Sequence, residues 1–350
     1  MKSIFWLRSE TKDHERRTPL TPTGAEQILA DGHQIFVERC HDRIINDEVY
    51  ANMGCKLVEA HSWKNAPKEA IILGLKELPD SDEPLTHKHI YFAHAYKGQA
   101  GAKELLQRFK KGGGSLYDLE YLIDENNRRV AAFGFWAGFS GAAAAMDSWA
   151  DLSQGKEFAA LKDHENQNEW IQSLKERLSG KIPRVMVVGA KGRCGNGAMT
   201  LLNNIGIAAT GWDYEETKGG GPFKAIAEHD VFINTALINK KIPPFITEDM
   251  LEDEALSIIC DVSCDPSGDL NPIPLYDRVG SWLHPLQSKL IAGKIRHILA
   301  VDNLPSLLPL ESSEDFASQL LPHLRSFAID NDSPVFRRSL EIFKDYSAKI

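Results

Sequence analysis

Residues 184–198, RVMVVGAKGRCGNGA, constrain the fold more than any other stretch of the chain. A short apolar run ends in the closely spaced Gly189, Gly192, Gly195 and Gly197, and AMTLLNNIG then reads as a helix. A strand, a glycine turn and a helix in that order form the repeating half-unit of a parallel α/β sheet. Glycines at such a turn let the backbone approach a pyrophosphate, which rests on the helix N-terminus. The usual spacing is GxGxxG, widened here to GxxGxxGxG. Taken alone, the cluster would also suit a turn with purely backbone demands. The next apolar run, IAATGWD (207–213), ends on Asp213. That is the roughly 20-residue spacing of an acidic residue accepting hydrogen bonds from an adenosine ribose. A carboxylate there repels a 2′-phosphate, which favours NAD over NADP. The plainer reading of Asp213 is a helix cap. Arg193 suits a pyrophosphate, or is a solvated surface charge.

The same alternation runs along the rest of the chain. SIFWLR (3–8), QIFVE (34–38), AIILGLK (70–76), IYFAHA (90–95) and SLYDLE (115–120) read as strands, with helical stretches between several of them. Thr21 is placed to cap a helix with Pro22 at its first position, and Gly32 to stop it. DVFINTAL (230–237), SIICDVS (257–263) and HILAVDN (297–303) extend the second series. The Gly/Ala-rich stretch 134–150 predicts a tightly packed helix connecting two lobes. Further helices are expected over 157–178, 312–328 and 334–347. The expected architecture is two Rossmann-like α/β lobes with mainly parallel sheets and an active-site cleft between them. Residues 1–134 with about 305–350 form a substrate lobe, and 135–304 an NAD-binding lobe.

A chain of 350 residues suffices for two domains. Its 43% hydrophobic and 25% charged residues exclude a disordered or low-complexity protein. The formal net charge of −9 argues against nucleic acid as the main ligand. No apolar run reaches the roughly 18 residues of a membrane span. The first residues, MKSIFWLRSETKDHERR, lack a signal-peptide core. With five cysteines and no secretory signal, a reducing cytoplasm is expected. No metal site is expected.

Four polar motifs in the first lobe sit at expected strand ends or helix starts: ERRTPLTP with Arg17, GLKELP with Lys76, FAHAYKGQ with His94, Lys97 and Gln99, and RRVAAFGF with Arg128 and Arg129. Ligands of open α/β sheets bind outside the carboxyl ends of the strands. Two arginines can grip carboxylates bidentately. A lysine at a half-buried strand end can have a lowered pKa and move protons, and a histidine does so near neutral pH. Each residue alone has a plainer reading: a snorkelling lysine, a hydrogen-bonded core histidine, surface ion pairs. Together they fit an anionic, carboxylate-rich substrate undergoing proton-coupled chemistry.

At these residues the chain resembles the NAD-dependent, lysine-forming saccharopine dehydrogenases of the fungal aminoadipate pathway. The motifs run in order along nearly its whole length: LRSETKDHERRTPLTP, SWKNAPKEAIILGLKELP, HIYFAHAYKGQAG, SLYDLEYL, RRVAAFGFWAGFSGAA, GAKGRCGNGA, WDYEETKGGGPF, FINTAL, CDVSCDPSGDLNPIP and VDNLPSLLPLESSEDFASQLLP. The wider alanine dehydrogenase and transhydrogenase nucleotide-binding superfamily is a more distant likeness. The resemblance implies oxidation of saccharopine with NAD and water to lysine, 2-oxoglutarate and NADH, through an imine that water hydrolyses. It implies acid–base roles for Lys76, as base toward the secondary amine, and for His94, as its partner acid. It places Arg17, Gln99, Arg129 and Phe133 at the substrate with Glu77 beside it, and makes Lys97 and Glu120 neighbours that tune the pair. It adds Ser263, Cys264 and Asp265 as a substrate-side loop. On the cofactor side it implies Arg128, Gly189, Gly192, Arg193, Asp213, Thr217, Val262, Val301, Asp302, Asn303 and Leu304.

The chain departs from the family pattern at Thr235 and Leu237, where the motif carries cysteine and tyrosine. A disulfide from Cys194 to that position is therefore impossible here. Cys264 and Asn303 stand where the fungal motif has alanine and histidine. Two alternatives remain: another opine-type or amino-acid dehydrogenase with a different amine partner, and a non-catalytic NAD-binding regulator. The expected partners are small molecules only (saccharopine, lysine and 2-oxoglutarate), with a monomer favoured.

Overall fold

The computed structural model describes residues 2–252, 254–264, 266, 268–330 and 333–350. In chain order it contains β1 (Ile4–Leu7), α1 (Pro22–Ala30), β2 (Gln34–Glu38), α2 (Asp47–Asn52), β3 (Lys56–Val58), β4 (Ile71–Leu73), β5 (Lys88–Tyr91), α3 (Ala102–Gly112) and β6 (Ser115–Asp118). There follow α4 (Gly134–Leu152), α5 (Gln167–Arg177), β7 (Val185–Val188), α6 (Arg193–Asn204), β8 (Thr210–Trp212), α7 (Tyr214–Thr217), α8 (Lys224–Ala227) and β9 (Val231–Asn234). The last elements are β10 (Ile258–Asp261), β11 (Leu286–Ile291), β12 (Lys294–Leu299), α9 (Pro309–Asp330) and α10 (Pro334–Ser347). The chain divides into two compact units, Met1–Ala132 with Pro309–Ile350, and Phe133–Leu308.

The first unit holds a sheet in the order β3-β2-β1-β4-β5-β6, parallel throughout. Its inner strands β4 and β5 are almost wholly buried, as expected of a sheet covered on both faces. Thr21 caps α1 by accepting from the Gly24 N–H at 3.3 Å, with Pro22 in the first turn. The strands β4, β5 and β6 end earlier than the sequence suggests, at Leu73, Tyr91 and Asp118. Lys76 and His94 therefore stand in the loops beyond the strands. The long C-terminal helices serve this sheet. Ser313 on α9 accepts from the Thr18 N–H at 3.0 Å, and Phe343 on α10 lies edge-on to Phe109 of α3.

The second unit has the order β11-β12-β10-β9-β7-β8, parallel except for the β11–β12 hairpin. Sequence patterning missed β11 because it is an edge strand with largely accessible side chains. It turns through Ala292 and Gly293, both at positive φ. Residues 134–150 form the tightly packed helix expected, and α4 is the packed centre of the second unit, against α5, α6 and β10. Its glycines permit this. A Cβ on Gly138 would fall on the backbone of Cys194, and one on Gly197 of α6 on that of Phe135. One expectation needs correction. The helix expected over 157–178 begins only at Gln167, capped by Asn166. The preceding residues are held outside the helix, with the Leu161 N–H on Trp282 O at 2.8 Å and the His164 N–H on Leu307 O at 2.9 Å.

Candidate functional site

In the first unit the functional side chains cluster in the segments following the carboxyl ends of β1, β4, β5 and β6, where a parallel sheet places its ligands. After β1 come Glu10 and then Glu15 with Arg17. Arg17 is buried and grips Glu15 bidentately, with Nε–Oε1 2.8 Å and Nη2–Oε2 2.6 Å. It is thus no surface ion pair, and much of its charge is spent on its own neighbour. Burial opposes the charge on Glu15, but Arg17 and the nearby Lys76 outweigh it and hold the carboxyl below its ordinary range. Glu10 anchors the chain after β4, accepting from the N–H groups of Leu75 and Lys76 at 2.6 and 3.0 Å.

Lys76 is half-buried and is followed by Glu77. The His94 Nδ1 lies 3.0 Å from Glu77 Oε1. That bond raises the pKa of His94 above its ordinary value, against partial burial. It lowers Glu77 to about 2. The pair therefore favours the imidazolium form of His94 and the carboxylate form of Glu77. His94 has φ +51, a conformation that a non-glycine residue adopts only when its surroundings enforce it. Three residues on, Lys97 reaches Glu120 at 2.7 Å, and the Lys97 N–H donates to Gln99 Oε1 at 2.7 Å. The hydrogen bond to Glu120 raises the Lys97 pKa. The charge of Lys97 is also felt by Arg129, which is exposed and whose backbone bridges to Ile123. Electrostatic contacts thus run from Arg17 through Glu15 to Lys76, and from Glu77 through His94 and Glu120 to Lys97 and Arg129. Arg128 is exposed and pairs with Asp124 at 3.1 Å.

In the second unit the glycine turn is closely packed backbone. Gly189 has φ +86, and a Cβ on Gly195 would fall on the Gly189 and Ala190 backbone. Gly192 caps the N-terminus of α6, and Arg193 begins that helix, exposed. Asp213 ends the stretch after β8 and fills a cap and a tether at once. Its Oδ1 accepts from the Tyr214 N–H at 2.8 Å as the cap of α7, and its Oδ2 accepts from the Lys191 N–H at 2.7 Å. One carboxylate thereby ties the glycine turn to the end of the neighbouring strand. Thr217 is buried and donates its hydroxyl to Asp213 O at 2.9 Å, so its side chain serves the α7 turn. Val301 and Leu304 are core side chains, so only their backbones are available to a ligand. Asp302 is exposed and accepts from the Asn303 N–H at 2.8 Å; Asn303 is at φ +65. Phe133 stands at the N-terminus of α4. Val262, Ser263 and Cys264 follow β10, whereas Asp265 lies outside the described residues.

Sequence reasoning missed the groups that hold these loops. Buried Asp261 accepts from Asn234 Nδ2 at 2.9 Å, Ser263 Oγ at 2.5 Å and Tyr276 Oη at 2.6 Å. Asp118 and Glu10 act similarly in the first unit. A polar residue at the end of an apolar strand was the available signal, visible in SLYDLE and SIICDVS. Thr235 donates to Val188 O at 2.8 Å, and Leu237 is 91% exposed. All five cysteines are free thiols. Among the described residues no cluster of metal-ligating side chains occurs, and no helix is long and apolar enough to cross a membrane.

Residues 6–140 match the family model "Alanine dehydrogenase/PNT, N-terminal domain". Among solved structures an L-alanine dehydrogenase is similar over 97% of this chain and 93% of its own, with a TM-score of 0.67 and 16% identity. That likeness concerns the fold. Two curated relatives are much nearer in sequence, and both are named "Saccharopine dehydrogenase [NAD(+), L-lysine-forming]". The protein of Neurospora crassa is 42% identical, covering 99% of this chain and 97% of the relative. That of Emericella nidulans is 44% identical, covering 99% and 98%. With such identity over nearly the whole of both chains, and both predicted motif sets present on the expected fold, the chain belongs to the NAD-dependent, lysine-forming saccharopine dehydrogenase family.

Proposed function

We propose that this protein is an NAD-dependent oxidoreductase that converts saccharopine and water to L-lysine and 2-oxoglutarate, reversibly. The single observation that carries the reading is the Glu77–His94 pair beside Lys76, in the loops after β4 and β5, within a chain of this family. A nicotinamide, when bound, would supply the acceptor for the hydride that leaves the glutamate-derived carbon. Lys76 takes the proton from the secondary amine, so that the nitrogen lone pair is free. Water then adds to the imine carbon and the C–N bond breaks, and His94, whose protonated form Glu77 favours, is the acid that gives a proton to the departing lysine amine. Two groups are needed because the steps demand opposite protonation states. Glu120 and Lys97 shape the field around His94. Arg129, Gln99, Phe133, Ser263, Cys264 and Asp265 contribute to substrate binding, and Arg17 does so with whatever charge Glu15 leaves to it.

The residues fit NAD at the second unit. The glycine turn leaves the backbone open at the N-terminus of α6, where a pyrophosphate is favoured. Asp213 offers a carboxylate to ribose hydroxyls and repels a 2′-phosphate. Gly189, Gly192, Arg193, Val262, Asp302 and Asn303 complete the set, with the Val301 and Leu304 backbones and Thr217 as a support for α7. In this reading the first unit carries the acid–base chemistry and the second the cofactor. The enzyme is cytoplasmic and monomeric; its mass in solution checks the second point.

The test is NADH oxidation with 2-oxoglutarate and lysine, ornithine, alanine or ammonia in turn. Lysine is expected to give the highest kcat/KM. A preference for alanine or ammonia would make the protein a different amino-acid dehydrogenase. No turnover with any amine, despite NADH binding, would make it a nucleotide-binding regulator.

A further inference from the structure

Strand β6 ends on Asp118, whose side chain is fully buried. Within the sheet Asp118 stands level with Tyr91, the last residue of β5. Its carboxylate makes two backbone contacts of different origin. Oδ1 accepts from the Glu120 N–H at 2.9 Å and caps the short 3-10 turn Leu119–Tyr121. The Ala93 N–H also donates to the carboxylate. Ala93 precedes His94, the residue at φ +51. One side chain thus ties the loop carrying His94 to the turn carrying Glu120. Cutting that tie would release both the acid and the partner of Lys97. A helix cap alone needs no contact with a second strand's loop, so capping does not account for the Ala93 bond.

We propose that Asp118 is a positioning residue of the reaction, fixing the His94 loop and Glu120 in one register from beneath the site. Its charge acts in the same sense as its bonds, since it favours the protonated form of His94. Burial pushes its carboxyl up to about 6, and the two N–H donors oppose this. At pH 7 the group is therefore mostly ionised. Its Oδ2, the Tyr91 hydroxyl and the Tyr96 hydroxyl are buried with no protein hydrogen-bond partner, and both phenols lie within reach of its charge. Buried polar atoms of this kind are normally bridged by water. The titratable groups facing His94 are Glu77 from the loop after β4, and Asp118 and Glu120 from β6 and its turn. Asp118 is faced by Glu120, His94, Tyr91 and Tyr96, and α10 brings the Ser339 hydroxyl to its carbonyl and Tyr346 to Tyr96.

The proposal rests on the acid role given to His94, and its test separates the two. Asp118→Asn keeps the size and an acceptor oxygen but removes the charge; Asp118→Ala removes both. Histidine ring proton titrations, assigned by comparison with His94→Gln, read the site without turnover. Asp118→Asn is expected to move the His94 titration to lower pH. It should lower kcat about tenfold, with the KM for the 2-oxo acid nearly unchanged. Asp118→Ala is expected to cost about 10²-fold in kcat, the scale of an ångström-sized misplacement. Asp118→Glu should recover part of the titration shift. If Asp118→Ala does not fold, the Asn variant decides. A folded Asp118→Asn enzyme with the wild-type His94 titration, kcat and pH profile would overturn the proposal. A shifted titration in a protein that never turns over lysine with 2-oxoglutarate would support it and sink the proposed function instead.

Discussion

In the second unit the candidate nucleotide turn is made of backbone. Gly189 occupies a left-handed conformation, and Gly195 and Gly197 lie so near other chain segments that a Cβ would collide with main-chain atoms. In the first unit the candidate site is made of side chains. Arg17–Glu15, Glu77–His94 and Lys97–Glu120 are ion pairs drawn from segments after β1, β4, β5 and β6. The two sites therefore fail differently. Backbone sites lose packing when a glycine gains a carbon. Side-chain sites lose charge balance when one partner is removed. A substitution in the second unit should read mainly as stability or cofactor choice, and one in the first as chemistry or, at the buried Arg17–Glu15 pair, as the cost of a stranded charge.

The largest effect belongs to the acid–base pair. Lys76→Met and His94→Gln are each expected to cut kcat by about 10²–10⁴-fold with NADH binding retained. Near-wild-type kcat in a folded Lys76→Met enzyme would remove Lys76 from the chemistry and leave His94 alone. Next is Arg17→Ala, which strands the buried Glu15 carboxylate. A loss of about 3–5 kcal/mol in urea unfolding is expected, the cost of breaking a buried pair. The double variant Glu15→Gln/Arg17→Met should lose much less. Unchanged stability with a raised KM for the 2-oxo acid would show that Arg17 serves substrate more than Glu15.

The backbone site is probed by Gly197→Ala. Its Cβ meets the α4 backbone, and about 1–3 kcal/mol or more of stability should be lost, read as a lowered Tm. An unchanged Tm would mean that α4 and α6 can separate, and would erase the contrast between the two sites. Asp213→Ser tests the one side chain on which this backbone site depends. Serine still caps α7, so folding is retained. Removing the carboxylate should narrow the preference for NAD over NADP by about tenfold, or roughly 1.4 kcal/mol. Equal use of both cofactors by the wild type would end the role given to Asp213.

The smallest effect is electrostatic. The Glu77 carboxylate contributes stability that is present above its ordinary value of 4.5 and is lost as pH falls toward about 2. Protonated His94 contributes stability that is present below 6.5 and is lost as pH rises through its raised value. Both shares are complete between these ordinary values, and beyond 6.5 the His94 share fades as pH rises through its raised value. Glu77→Gln should return the His94 titration toward 6.5. An unmoved titration would show that the bond at 3.0 Å does not govern the protonation of His94.

Part of the fold and of the site was legible in the sequence and part was not, for definite reasons. The α6 turn was readable because glycines at fixed spacing report backbone demands that are local. Thr21 with Pro22 was readable for the same reason. The late start of α5 was not, because the segment before Gln167 is held by carbonyls of Trp282 and Leu307, far away in the chain. Strand β11 was hidden because an edge strand carries no buried alternating face. The residue types at Lys76, His94 and Glu120 suggested proton chemistry on a carboxylate-rich substrate, and their motifs pointed to the family.

By itself, then, the sequence determined the two βα series, the phosphate-type turn and the identities of the candidate reacting groups, since propensity, glycine freedom and functional-group chemistry are local properties. Only the tertiary structure decided which charge faces which. It set Arg17 against Glu15 rather than on the surface, joined His94 to Glu77, and brought Asp118 beneath both His94 and Glu120. Those pairings depend on strand order, and strand order is fixed by burial of the whole sheet rather than by any short stretch of chain.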